Sequence, residues 1–162
     1  MSTVFPPALL AKFDALRSQY PPGMKTSLVL PLLHCVQDEN GYVTEADAHA
    51  IAAYIGMPAI QVVEALTWYT MFDREPQGRY VIKVCHNIAC SLRGSEQVLA
   101  HLQHRLGIKA GETTPDGKIT LTTVMCLAAC DRAPMCQVNL KYHYDLTPEK
   151  FDQLVEELKK KD

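Results

Sequence analysis

The chain has 162 residues, 48% of them hydrophobic and 21% charged, with 16 basic against 18 acidic side chains. That length suits one compact domain or two small ones, and the near-neutral balance excludes the basic footprint of a nucleic-acid binder. No apolar run approaches the roughly 18 residues of a membrane span, and the first residues show neither a secretory signal nor an Arg-rich transit peptide.

The first half reads as helix. Pro7 to Tyr20 places Leu9, Leu10, Phe13 and Leu16 at helical spacing, and Pro21-Pro22-Gly23 stops it. Ser27 to Gln37 carries Leu28, Leu32, Cys35 and Val36 on one side and ends at Asn40-Gly41. Pro31 fits only a first turn, so this helix is expected to begin later than its apolar pattern. Thr44 and Asp47 have capping-box spacing and open a helix to about Tyr54, before Gly56. Pro58 opens the last helix of this half, Ala59 to about Met71. Trp68, Tyr69, Met71 and Phe72 at its end are expected to pack the halves together or to meet a partner.

The second half alternates strand and helix. Arg79 to Val84 is a β-rich run ending at Cys85, and Ser95 to Leu106 is an amphipathic helix stopped by Gly107. Asp116-Gly117 marks a turn before a strand over Lys118 to Val124. Met135 to Leu140 and Tyr142 to Tyr144 read as two short strands around a turn. Thr147-Pro148-Glu149 starts a final helix with Phe151, Leu154, Val155 and Leu158 inward and Lys159 to Lys161 at its negative end. The expected fold class is α+β: a small helical bundle over residues 1–76, then a small thioredoxin-like α/β domain over 77–162. The boundary is the breaker cluster Pro76-Gln77-Gly78. Charge changes there too, from net −4 over residues 1–78 to net +2 over 79–162.

Five of the six cysteines lie beyond that boundary. Cys85 and Cys90 form a C-x4-C pair, and Cys126 and Cys130 a C-x3-C pair. Each pair follows an expected strand, so both can emerge at one end of one sheet. Four thiolates at one point suit a soft metal, either zinc or an iron–sulfur cluster. Disulfides are disfavoured in a chain without an export signal. Zinc knuckles and thioredoxin-type redox pairs favour C-x2-C, and a Rieske centre needs two spaced histidines where only His86 stands. Spacing alone leaves zinc and iron–sulfur both open.

From about Tyr20 to the C-terminus the chain resembles the E-subunit family of NADH–quinone oxidoreductase, respiratory complex I. The resemblance rests on Gln37-Asp-Glu-Asn-Gly-Tyr42, Trp68-Tyr-Thr-Met-Phe72, Val84 to Gly94, Thr114-Pro-Asp-Gly117, Cys126-Leu-Ala-Ala-Cys130 and Ala133-Pro-Met135. It implies a helical bundle before a thioredoxin-like ferredoxin domain, with Cys85, Cys90, Cys126 and Cys130 binding one [2Fe–2S] cluster. The implied role is single-electron transfer in the NADH-oxidising module of complex I, peripheral to the inner membrane on the cytoplasmic side. The implied partner is a flavoprotein carrying FMN, the NADH site and a [4Fe–4S] cluster, beside further complex I subunits. This chain has no Gly-rich dinucleotide fingerprint after a strand, so NADH chemistry is assigned to that partner. The corresponding subunits of NAD-linked hydrogenases or formate dehydrogenases, a free-standing ferredoxin and a structural zinc protein are the alternatives.

Two positions depart from the family pattern. Met125 stands where Glu is common, and Ala128 where Gly is common. The first removes negative charge beside the expected cluster, favouring its reduced state. The second raises the question of a positive φ at Ala128. Arg93 and Arg132 are candidates to lend positive charge, with ordinary surface ion pairing as the alternative. Cys35 and Cys136 are expected to be packing thiols.

Overall fold

The computed structural model describes residues 5–160, so Lys161 of the expected basic helix end lies outside the described residues. The chain divides into two compact units, Met1–Pro76 and Gln77–Asp162.

The first unit is four helices around one core. Helix α1 spans Pro7–Arg17, α2 Val29–Asn40, α3 Glu45–Ile55 and α4 Ala59–Trp68. Pro31 is the third residue of α2, where its missing N–H costs no intrahelical bond, and a 3-10 turn over Thr26–Leu28 leads into it. The capping box opens α3: Thr44 Oγ1 accepts from Asp47 N–H at 3.1 Å, and Thr44 N–H donates to Asp47 Oδ2 at 2.9 Å. Leu9 and Phe13 of α1 meet Leu32, Leu33 and Val36 of α2, Ile51 and Ile55 of α3, and Val62 and Leu66 of α4. Phe13 packs edge-on to Phe5 and Tyr54, with centroids 5.2 and 5.3 Å away.

Two helices are shorter than their apolar patterns. Helix α1 stops at Arg17, beyond which the chain tightens: Gln19 N–H and Tyr20 N–H donate to the Leu16 and Arg17 carbonyls, three residues back, before Pro21-Pro22. Helix α4 stops at Trp68, and Tyr69 turns extended. The Gln37 side chain claims the segment beyond: its Nε2 donates to the Met71 carbonyl at 3.0 Å, and Oε1 accepts from Asp73 N–H at 2.7 Å. Val43 N–H adds a bond to the Asp73 carbonyl at 2.8 Å. Of the aromatic group at this end, Phe72 is buried in the helical core against His34, whereas Trp68, Tyr69 and Met71 are exposed.

The second unit is a five-stranded sheet with helices packed on it. Its strands are β1 Tyr80–Cys85, β2 Glu112–Thr113, β3 Ile119–Val124, β4 Cys136–Val138 and β5 Lys141–His143, in the order β2-β3-β1-β4-β5. β1 and β3 run parallel; the other pairings are antiparallel. Helices α5 Ile88–Leu92, α6 Ser95–Leu106 and α7 Pro148–Lys160 complete the unit. Ile82, Val84, Ile119, Leu121 and Val138 of the sheet bury against Val98 and Leu102 of α6 and Phe151, Leu154 and Val155 of α7. Gly78 lies so close to β3 that a Cβ would sit 3.0 Å from the Ile119 backbone, while its N–H donates to Thr120 Oγ1 at 2.7 Å. The C-terminal ends of parallel β1 and β3 therefore point the same way, side by side.

Candidate metal centre

Register brings the two cysteine loops together. Cys85, the last residue of β1, pairs with Val124, the last of β3, and His86 N–H donates to the Val124 carbonyl at 3.2 Å. Cys126 follows two residues later, so the chain leaves both strands at one edge of the site.

The first loop is held tightly. Cys85 N–H donates to the Met135 carbonyl at 3.3 Å, which fixes the strand end. Asn87 caps the five-residue helix α5 through Oδ1, accepting from Ile88 N–H at 2.8 Å, and Cys90 lies inside that helix. Cys85 and Cys90 are both buried, in a small apolar group with Ala133 and Met135, against which Leu127, Ala129 and Tyr144 pack. Residues of both cysteine loops thus share one packed cluster. Burial holds the Cys90 thiol well above the ordinary range; its hydrogen bond to Cys85 adds to the rise and a backbone hydrogen bond from Met135 opposes it. The charge of Cys130 also reaches Cys90. Binding a metal at Cys90 would expel the proton that its buried thiol retains.

The second loop is open. Cys126 and Cys130 are exposed, and Cys130 begins a 3-10 turn over Cys130–Arg132. Cys126 Sγ accepts the backbone N–H of Ala128 at 3.2 Å. Ala128 itself stands at φ +57°, so the loop does use the left-handed backbone that Gly would take without strain.

Among the described residues, no three His, Cys, Asp or Glu side chains gather closely enough to share one ion. The structure joins Cys85 to Cys90, brings Cys130 within electrostatic reach of Cys90, and bonds Cys126 to its own loop. A [2Fe–2S] cluster takes two protein thiolates on each iron, so paired thiols on two facing loops match its needs. An all-thiol donor set and a backbone N–H aimed at sulfur fit that group as well.

Arg132 forms an ion pair with Asp145, which offsets the positive charge it has to lend. Arg93 and Met125 are exposed. Cys35 packs half-buried against the helical core, and Cys136 is buried in the sheet core. The contributions of Tyr144, Asp145 and Met135 carry no sequence signal beyond the Ala133-Pro-Met135 run, because each acts through a contact distant along the chain.

The profile of the thioredoxin-like [2Fe-2S] ferredoxin family matches residues 13–159. The chain is 41% identical over 145 residues to an NADH-quinone oxidoreductase E subunit of Rhizobium meliloti, covering 90% of this chain and 85% of that protein. It is 40% identical over 141 residues to the NADH-quinone oxidoreductase E subunit of Rickettsia conorii, covering 86% and 84%. In fold it is similar to a chain of an NAD+-reducing [NiFe]-hydrogenase in the H2-reduced state, with a TM-score of 0.71 at 19% identity. That likeness covers 83% of this chain and 23% of the hydrogenase chain.

Proposed function

The chain belongs to the thioredoxin-like [2Fe–2S] ferredoxin family, alongside the E subunits of NADH–quinone oxidoreductase, and from that footing we propose that it is an electron-transfer subunit of an NADH-oxidising module. Cys85, Cys90, Cys126 and Cys130 hold one [2Fe–2S] cluster in this reading. The observation that carries it is the convergence of both cysteine loops on one packed group at the ends of β1 and β3.

When bound, the cluster supplies storage of a single electron. The chain's own residues divide the work. Buried Cys85 and Cys90, backed by Met135 and Ala133, exclude water from the inner side. Exposed Cys126 and Cys130 leave the outer side accessible, which is the side an electron donor must approach. The Ala128 N–H withdraws negative charge from Cys126 sulfur, and hydrogen bonds of this kind raise the potential of an iron–sulfur centre.

Hydride chemistry falls to a partner flavoprotein carrying FMN, the NADH site and a [4Fe–4S] cluster, within a larger complex I assembly. No helix among the described residues is long and apolar enough to cross a membrane. The reading places the chain in the peripheral arm, on the cytoplasmic side.

The test is co-purification of the tagged chain from its native host, followed by EPR after adding NADH. A flavoprotein should co-purify, and NADH should generate the reduced [2Fe–2S] signal. A monomer that exchanges electrons freely with soluble carriers and recruits no flavoprotein contradicts the assignment. Hydrogenase or formate dehydrogenase subunits in the purified assembly would move the chain to that complex.

A further inference from the structure

Arg132 stands two residues beyond Cys130 and ties the open loop to a distant segment. Its Nε and Nη2 both donate to Asp145 Oδ2, at 3.1 and 2.8 Å. The same guanidinium lies over the Tyr144 ring, 4.5 Å from its centroid. Its backbone carbonyl accepts the Asp145 N–H at 3.0 Å, and Leu146 N–H reaches the Pro134 carbonyl at 2.9 Å. Asp145 is itself held, since Lys150 Nζ donates to its carbonyl at 2.7 Å from the first turn of α7. Tyr144 closes the circuit by packing against the group that contains Cys85 and Cys90.

An isolated exposed ion pair contributes little. Here one guanidinium makes two donor contacts and a ring contact, and the backbone is joined at the same residue, so several independent contacts resist the same loop movement. Between Cys126 and Arg132 the loop's own bonds are local: Ala128 N–H to Cys126, and Arg132 N–H to the Ala129 carbonyl at 3.2 Å.

We propose that Arg132, Asp145 and Tyr144 form a clamp that holds the loop bearing Cys126 and Cys130 ready for ligation, with Arg132 acting as a positioning residue. The proposal rests on those two cysteines being cluster ligands. Its distinguishing feature is direction. A clamp loses grip whichever side of the ion pair is removed, whereas a charge that tunes the cluster acts with opposite sign for Arg132 and Asp145.

The test compares Arg132→Gln, Asp145→Asn, the double variant and Arg132→Lys in the full chain. The readouts are iron release to a chelator, the midpoint potential, and amide exchange of residues 126–133 in iron-stripped protein. Arg132→Gln and Asp145→Asn should each release iron about tenfold faster, the scale of lost support around a metal ligand. The double variant should be no worse than Arg132→Gln alone, because that single variant already loses the contact that Asp145→Asn removes. Arg132→Lys should fall between, keeping charge without the planar fork. Amide exchange in the loop should quicken in the same order. Unchanged iron release and exchange, additive effects in the double variant, or potentials that move in opposite directions with iron release unaltered would each overturn the clamp. Full iron and sulfide in Cys126→Ala marks failure of the ligand reading instead, whatever the clamp variants do.

Discussion

Ala128 donates its backbone N–H to Cys126 Sγ at 3.2 Å from a left-handed conformation, φ +57°. A Cβ is strained in that left-handed backbone. Ala128→Gly should keep the bond and remove the Cβ strain, offset partly by the greater freedom of glycine in the unfolded chain. The expected gain is about 0.5–1 kcal/mol in chemical denaturation, with the midpoint potential unchanged. A loss of stability would mean that the loop does not hold this backbone.

Met125 is 68% exposed and precedes Cys126 in the chain. Met125→Glu places negative charge near a centre that becomes more negative on reduction. The midpoint potential should fall, and solvent screening limits the shift to the order of tens of millivolts. EPR-monitored titration of both proteins measures it; an upward shift contradicts the sign.

Burial pushes the Cys136 thiol up to about 12. The folded chain therefore keeps this proton where the unfolded chain, at about 8.5, has released it. The thiol's contribution to stability is whole below about pH 8.5 and is lost as pH rises toward the folded value, at up to about 1.4 kcal/mol per pH unit. Cys136→Ala should flatten the alkaline slope in urea denaturation between about pH 9 and 10.5. Equal slopes in the two proteins would show that Cys136 is not kept neutral by the fold.

Thr44 and Asp47 satisfy each other's backbone at the start of α3. Thr44→Ala should cost about 1 kcal/mol, while Thr44→Ser should be close to neutral because it retains the accepting oxygen. Matched denaturation midpoints for all three proteins would rule out the cap as a source of stability.

Legibility follows the locality of the signal. Helix α6 runs over Ser95–Leu106, as its apolar period and Gly107 indicate, and the Thr44 cap forms as its spacing predicts. Helix α5 has five residues, too few to display a period, and the two-residue β2 is fixed only by its pairing with β3. The end of α4 is unreadable locally because Gln37, 36 residues before Asp73, decides it. At the site, the cysteine pairs are plain in sequence, and parallel pairing of β1 with β3 places their loops together. Which pair is buried depends on Met135, Ala133 and Tyr144, and the Arg132–Asp145 contact spans 13 residues without local periodicity.

The most direct measurement is iron and acid-labile sulfide analysis of anaerobically purified protein, with EPR after reduction, on the parent chain and single alanine variants. The parent should hold about two irons and two sulfides per chain. Cys85→Ala, Cys90→Ala, Cys126→Ala and Cys130→Ala should lose the native signal and most of the iron, whereas Cys35→Ala and Cys136→Ala should keep both. A colourless parent with one zinc and no sulfide, or a full cluster in any of the first four variants, would contradict the account.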